Sequence, residues 1–214
     1  LSYIGNKPAN KAVVASDLDP AVITGQTALA VAPADTDEFL ISDAGTLKRI
    51  DASLVGGGGI TMAQQWRLSA DFTGNADPIA SNLEIVDTYG YGTLGSNMTE
   101  SSGVFTFPST GYYLIMAHHF IKNTNFERGG TMNLNVTTDG SNFNNAGQSI
   151  ASVSPSSGLN TSNSSLMKYI LDVTDTSTHK VSFTVNVVTT GSTKTAGDTN
   201  FSETTFTFIR LGDT

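Results

Sequence analysis

The chain has 214 residues, with 11 Lys and Arg against 19 Asp and Glu for a net charge of −8, 21 Gly and no Cys. Charged residues make up only 14%, against roughly 25% in an average soluble domain, which excludes a helical bundle rich in Glu and Lys and favours short strands joined by polar turns. A pI near 4.6 excludes a binder that tracks phosphates with clustered cations, and the lack of Cys excludes disulfides, thiolate chemistry and Cys-ligated zinc.

The first residues, Leu1-Ser2-Tyr3-Ile4-Gly5, carry neither a basic nor an apolar leader pattern, so no export signal is expected. No run approaches the ~20 apolar residues of a membrane span, so no membrane partner is expected either. Residues 1–23 contain Pro8 and Pro20, scattered Ala and Val, and no sustained period. They read as an extended arm too poor in apolar residues to fold alone. An arm of this kind is held by a partner surface, with Tyr3, Ile4, Lys7 and Lys11 as its candidate anchoring residues.

Residues 24–55 hold a small β-hairpin module. Glu38-Phe39-Leu40-Ile41-Ser42 reads as one strand, Asp43-Ala44-Gly45-Thr46 as a turn, and Leu47-Lys48-Arg49-Ile50 as the return strand. Asp before Gly in a short polar break is a hairpin signal because Gly tolerates positive φ. A lone hairpin is marginal in water, so Phe39, Ile41, Leu47 and Ile50 are expected to anchor the module on a neighbour. Gly56 to Gly59 lie in a linker over 56–60, where backbone freedom is greatest and packing information least.

From residue 61 to 214 the chain is a series of strand-length runs. Trp66-Arg67-Leu68, Leu83-Glu84-Ile85-Val86 and Gly103-Val104-Phe105-Thr106-Phe107 come first, then the long Tyr112–Ile121 run. Met132–Val136 alternates as a half-buried strand, with Asp139-Gly140 as the turn after it. Leu166–Leu171, Val181–Val187 and Thr205–Leu211 complete roughly eight strands, while Asn142–Ser165 reads as a long exposed loop. The expected class is all-β, a two-sheet jelly-roll sandwich.

Two stretches resemble known families. Gly103-Val104-Phe105-Thr106-Phe107-Pro108-Ser109-Thr110-Gly111-Tyr112-Tyr113-Leu114-Ile115 is similar to the central signature of the C1q/TNF-like jelly rolls, and Thr205–Leu211 resembles their last strand. That resemblance covers about residues 66–211 and implies a homotrimer, with Phe105, Phe107, Tyr112, Tyr113, Ile115, Phe206 and Phe208 as trimer or core residues. The calcium-binding loops of that family are not recognisable here, and the C1q cysteines are absent. Leu1–Pro8 together with Thr36–Ile50 resembles virion proteins of tailed bacteriophages, notably marine and cyanobacterial ones, in which such a module precedes a variable C-terminal domain. The resemblance implies an attachment module feeding a distal head.

Candidates for chemistry are few. His118 and His119 are adjacent, so a strand points them to opposite faces and they cannot share a metal from one side. A threefold axis leaves open a site made of three copies of either. His179 reads as a solvated turn residue. Asp71, Asp77 and Asp87 fall in the first loops of the sandwich, but their spacing matches no calcium loop, so solvated turns are favoured. The Gly-x-Ser-x-Gly, His-Glu-x-x-His and phosphate-loop patterns are all absent. No enzyme, cofactor or resident metal is expected. Recognition falls instead to exposed aromatics: Tyr89 and Tyr91 in a Gly-flanked loop, Phe126 with Arg128, and Phe143.

Together these readings predict a non-enzymatic phage structural protein on the virion surface, assembled in the host cytoplasm. Its partners are itself, other tail or capsid proteins, and a host-surface glycan or protein. As a short tail fibre it carries a receptor-binding head. The competing expectation is a capsid decoration protein at threefold positions, and copy number per particle separates the two.

Overall fold

Buried and outward-facing side chains alternate along Gly111–Asn123, one of two 13-residue strands, and this strand sets the frame for the others. The computed structural model describes residues 19, 21–25, 27–31, 33–34, 36–55, 59–123, 129–153, 160–188 and 191–214, with backbone only at 22 and 23. The chain divides into two units, Leu1–Gly57 and Gly58–Thr214.

In the first unit, residues assigned to the arm by sequence lie almost entirely outside the described residues, and so do Tyr3, Ile4, Lys7 and Lys11. Where the arm was expected to stay extended to residue 23, Ala21–Thr24 forms a one-turn helix, α1. The Asp19 carboxylate accepts the Ala21 N–H at 2.9 Å, which satisfies one of the donors left free at a helix start. Strands β1 (Glu38–Asp43) and β2 (Thr46–Asp51) then pair antiparallel, from Glu38 opposite Asp51 to Asp43 opposite Thr46. The two-residue turn has φ of 48° at Ala44 and 83° at Gly45. Positive φ at both positions is the turn geometry whose twist matches a right-handed pair of strands. Lys48 bonds Asp43 at the turn, and Arg49 pairs with Glu38 at 3.1 Å near the open end.

The second unit holds strands β3 (Met62–Leu68), β4 (Ala70–Thr73), β5 (Leu83–Ile85), β6 (Thr99–Ser101), β7 (Val104–Thr106) and β8 (Gly111–Asn123). There follow β9 (Gly129–Thr137), β10 (Asn144–Ser152), β11 (Thr161–Val173), β12 (Lys180–Val187), β13 (Thr193–Asp198) and β14 (Thr205–Gly212). One sheet has the order β10-β9-β12-β7-β6, and the other runs β4-β13-β8-β14-β3-β5 with β11 also paired to β8. Pairing is antiparallel throughout. Along one edge of β8 runs the whole of β11. Its other edge is shared by β14, against Tyr112–His118, and β13, against Ile121–Asn123.

Between the sheets lies an aromatic core. Phe105 of β7 and Phe183 of β12 come from one sheet, and Trp66 of β3 with Phe206 and Phe208 of β14 come from the other. Ring centroids stand 4.3 Å apart for Phe183 and Phe206, 5.2 Å for Phe105 and Phe208, and 5.4 Å edge-on for Trp66 and Phe105. Each fully buried side chain of this size contributes on the order of 1.5–3 kcal/mol by leaving water. The cluster therefore clamps the two layers at their centre.

Two sequence expectations are corrected. Asn142–Ser165 is not one loop, because its ends form β10 and the start of β11. Both are edge strands of their sheets with solvent on one face, so Asn, Ser and Gly suffice where a central strand needs an apolar run. The rims meet there: the Ser165 hydroxyl donates to Ser149 at 3.0 Å, and a Cβ on Gly147 would come within 2.9 Å of the Met167 sulfur. His179 is not solvated but 8% exposed. Its Nδ1 lies 3.1 Å from the Asp175 carbonyl and its Nε2 3.5 Å from the Thr174 hydroxyl, which fastens the turn before β12.

Candidate functional site

Even-numbered residues of β8 point away from the core. Leu114, Met116, His118, Phe120 and Lys122 are half-buried and Tyr112 is exposed, whereas Tyr113, Ile115, Ala117, His119 and Ile121 are buried. A strand with water on its outer face carries polar residues there, yet Leu114 and Met116 are apolar. Register extends the pattern across three strands. Ile170 of β11 sits opposite Leu114, which sits opposite Ile209 of β14. Two same-face steps along, past Lys168 opposite Met116, Leu166 lies opposite His118. Ile170 is 60% and Leu166 53% exposed. Next to this row, Gln65, Tyr91, Thr207 and Ile209 border a shallow depression of about 270 Å³. Its floor is fixed by hydrogen bonds: Gln65 donates its side-chain amide to Thr207 at 2.9 Å and its backbone N–H to the Tyr91 hydroxyl.

The predicted trimer or core residues divide by parity. Phe105, Phe107, Tyr113, Ile115, Phe206 and Phe208 all lie in the core between the sheets, while Tyr112 is on the outer face. Leu114, Met116, Leu166, Ile170 and Ile209 were missed. Their signal was in the Tyr112–Ile121 run, where both parities are apolar, as in a strand covered on both sides.

On the hairpin, Phe39 and Ile50 are directly paired and share a face with Ile41, whereas Leu47 stands on the opposite face with Leu40. Phe39, Leu40, Ile41 and Leu47 are exposed. Within its own unit the hairpin thus has apolar side chains open to solvent on both faces.

Recognition candidates are scattered. Tyr89 is 90% exposed, at a φ of 54°. Tyr91, by contrast, is half-buried against Gln65 and is not free for stacking. Phe126 and Arg128 lie outside the described residues. Phe143 stands at one side of a groove of about 420 Å³ whose wall is a polar ladder of β9 and β12. In it Asn135 donates to Thr184 at 2.6 Å, and Thr184 donates to Asp77 at 3.2 Å.

The histidines part as the alternation requires. His118 Nδ1 lies 2.7 Å from the Glu203 carbonyl on the outer face. His119 is buried with Nε2 3.2 Å from the Thr195 hydroxyl, and burial, helped by His118, lowers its pKa to about 4. The three aspartates do not converge; Asp77 and Asp87 are exposed and outside any strand, as expected, while Asp71 is in a strand rather than a turn. Asp71 lies in β4 and accepts the Gly197 N–H, Asp77 accepts from Thr184, and Asp87 pairs with Arg67. Among the described residues no group of three or more His, Asp or Glu is placed to hold a metal ion.

This sheet order and core define a jelly roll of the TNF-like type. Comparison with a solved structure gives the same fold. The Eiger TNF from S. frugiperda superposes with a TM-score of 0.50 at 11% identity, over 73% of this chain and 96% of that one. Murine APRIL at pH 8.5 and at pH 5.0 gives TM-scores of 0.46 and 0.48 at 12% and 11% identity, each over 70% of this chain and 98% of the other. No protein-family model and no curated sequence matches the chain.

Proposed function

We propose that the protein is a non-enzymatic, trimeric virion appendage protein of a tailed phage, a short fibre in which the N-terminal arm and hairpin hold the particle and the jelly roll is the attachment head. The observation that carries self-association is the apolar row Ile170–Leu114–Ile209 on the outer side of the larger sheet. Row and depression lie side by side on one sheet, so the projecting β11 edge of one copy has a complementary seat beside β3 and β14 of the next. A head-to-tail contact of that kind closes into a ring when its rotation is threefold. The phage setting rests on the resemblance of Leu1–Pro8 and Thr36–Ile50 to virion attachment modules. It is supported by the hairpin, whose Phe39, Ile41, Leu40 and Leu47 are exposed, as befits a module completed on assembly.

Light scattering tests the assembly: three copies of 22.4 kDa give about 67 kDa, and a stable monomer at micromolar concentration refutes it. Deleting residues 1–55 tests the anchor, with a folded head that no longer joins particles as the expected result. Hundreds of copies per particle, rather than tens or fewer, would turn the appendage into a head decoration.

A further inference from the structure

The outer face of the smaller sheet carries the groove beside Phe143, about 420 Å³ in volume. Along β12, Val181, Phe183 and Val185 lie in the core, so Ser182, Thr184 and Asn186 point out of the sandwich. Pairing carries that parity across the sheet. Val104 of β7 lies opposite Ser182, Ser182 opposite Asn135 of β9, and Asn135 opposite Asn145 of β10. In the neighbouring row Thr184 lies opposite Asn133. Although they point outward, Ser182, Thr184 and Asn133 are only 5%, 6% and 9% exposed, so they form the bottom of a trough and not a flat face. Asn135 is half-buried, and Asn145, Asn186 and Asp77 are exposed. These four reach whatever lies in the trough, and Thr184 ties two of them together by accepting from Asn135 and donating to Asp77.

Both flanks are pinned. On one side Asp139 fastens the turn before β10, its carboxylate accepting the N–H groups of Ser141 and Asn142 and the Asn142 side-chain amide. Phe143 follows directly and remains exposed. On the other side Ala76 exchanges both backbone hydrogen bonds with Val185, at 3.0 and 2.9 Å, and Ile79 donates to the Phe183 carbonyl at 2.8 Å. That pairing holds Asp77 and Pro78 against β12. Groups fixed before a ligand arrives need not be ordered when it binds.

The lining selects the chemistry of the ligand. Among the described residues that border the groove, Asp77 is the only charged one. An anion would meet that carboxylate with no cation to pair with, and a calcium ion would find one carboxylate where it needs several oxygen ligands. Strands β9 and β12 are central in their sheet, so an extended peptide has no free backbone edge to join. What the trough offers is three amides that donate and accept, one carboxylate that accepts, and an aromatic ring at the side.

We infer that this groove binds a neutral sugar unit. Sugar hydroxyls donate and accept, so adjacent hydroxyls answer an amide and Asp77 together, while the C–H face of the ring lies on Phe143. The volume falls in the roughly 300–1,000 Å³ range of small-molecule sites. Groove and apolar row lie on different sheets, so self-association through the row does not use the groove. The inference rests on the attachment reading only for the sugar's source, a surface glycan.

The test uses the full chain and saturation-transfer NMR with millimolar methyl glycosides of glucose, galactose, mannose and N-acetylglucosamine. Retention on immobilised dextran, galactan and mannan is the second arm. Binding of at least one glycoside is expected, weakened at least tenfold by Phe143→Ala and severalfold by Asn186→Ala. Both side chains are exposed, so both variants should melt close to the parent. Tyr89→Ala, which removes an exposed aromatic that does not border the groove, should bind as the parent does. Retention on a polysaccharide assigns the site to a glycan, and glycoside binding without retention assigns it to a free sugar. No transfer to any glycoside, binding unchanged in both groove variants, binding lost in Tyr89→Ala, or displacement of the glycoside by inorganic phosphate or calcium overturns the inference. Particle incorporation and mass are read separately, so failure here leaves the anchor and the trimer standing or falling on their own results.

Discussion

Arg67 is wholly buried, and its Nε donates to Glu84 at 2.7 Å while Nη2 reaches Asp87 at 2.7 Å and Nη1 the Thr88 hydroxyl at 2.9 Å. It occupies the outward parity of β3, shared with Ala63 and Gln65, so the β5 segment and the residues after it must cover it. For a buried guanidinium the cost of losing a partner depends on how dry that partner is. Glu84 is the drier of the two carboxylates and also accepts from Thr199 at 2.9 Å. Glu84→Ala should therefore cost about 2–3 kcal/mol. Asp87→Asn, at a side chain 75% exposed, should cost under about 1 kcal/mol. Urea unfolding of both variants gives the order directly, and equal losses would mean that Glu84 does not anchor Arg67.

This pairing marks where the sequence stopped being readable. The long strand at Tyr112–Ile121, the period-two strand Val181–Val187 and the closing strand Thr205–Leu211 were legible because central strands of a sandwich have buried faces, which write a run or an alternation. Edge strand β10 and the start of β11, Thr161–Ser165, were not, since their Asn- and Ser-rich residues face water and write no apolar pattern, whereas Leu166–Leu171 of β11 was read as a strand. Arg67 reads as an exposed charge until Glu84 and Asp87 are brought to it by β5. The outer row on β8 was only half legible: both parities of Tyr112–Ile121 are apolar, but Ile170 and Ile209 join Leu114 only through strand pairing, which no local pattern announces.

Tyr113 folds back on its own turn: its hydroxyl donates to the Ser109 carbonyl at 2.9 Å and meets the Ser109 hydroxyl at 3.1 Å. Its ring lies 4.6 Å from Phe107. Between them Gly111 has a φ of 138°, and a Cβ there would stand 2.4 Å from the Gly212 carbonyl oxygen. The Gly-Tyr-Tyr stretch is thus a corner that only glycine can turn at its first residue. Tyr113→Phe should lose about 1 kcal/mol. Gly111→Ala should lose well over 1 kcal/mol, through both the contact and the backbone. Thermal melts that rank Tyr113→Phe as the costlier change would contradict this account of the corner.

On the trimer reading proposed above, parity on β8 separates assembly from folding. Leu114 and Ile115 are neighbours, but the first faces the outer row and the second is 1% exposed in the core. Leu114→Asp should leave the β-sheet circular dichroism of the head intact and reduce its mass from the trimer toward 22.4 kDa. Ile115→Ala, a truncation inside the core, should cost about 2–5 kcal/mol. Light scattering and chemical unfolding on the same two proteins would defeat the assignment if Leu114→Asp remained trimeric.

His119 makes the domain acid-sensitive in a defined window. Burial, with a smaller contribution from His118, lowers its pKa from 6.5 to about 4. Unfolded chains therefore bind a proton between those values that the folded domain does not, so stability is complete above about pH 6.5 and falls as the pH drops toward 4. A gap of this size corresponds to about 3 kcal/mol. Asp139 and Asp175 act elsewhere on the scale. Hydrogen bonds from Asn142 and Ser177 respectively hold their carboxyls below the ordinary 3.8, so their contributions are lost only as the pH falls further. Melting temperatures taken across pH 7 to 4 should decline for the parent chain. In His119→Leu the decline over this window should be largely abolished, whatever the variant's absolute stability, because no proton is then taken up on unfolding at that site. An undiminished slope in His119→Leu would assign the acid response to another group.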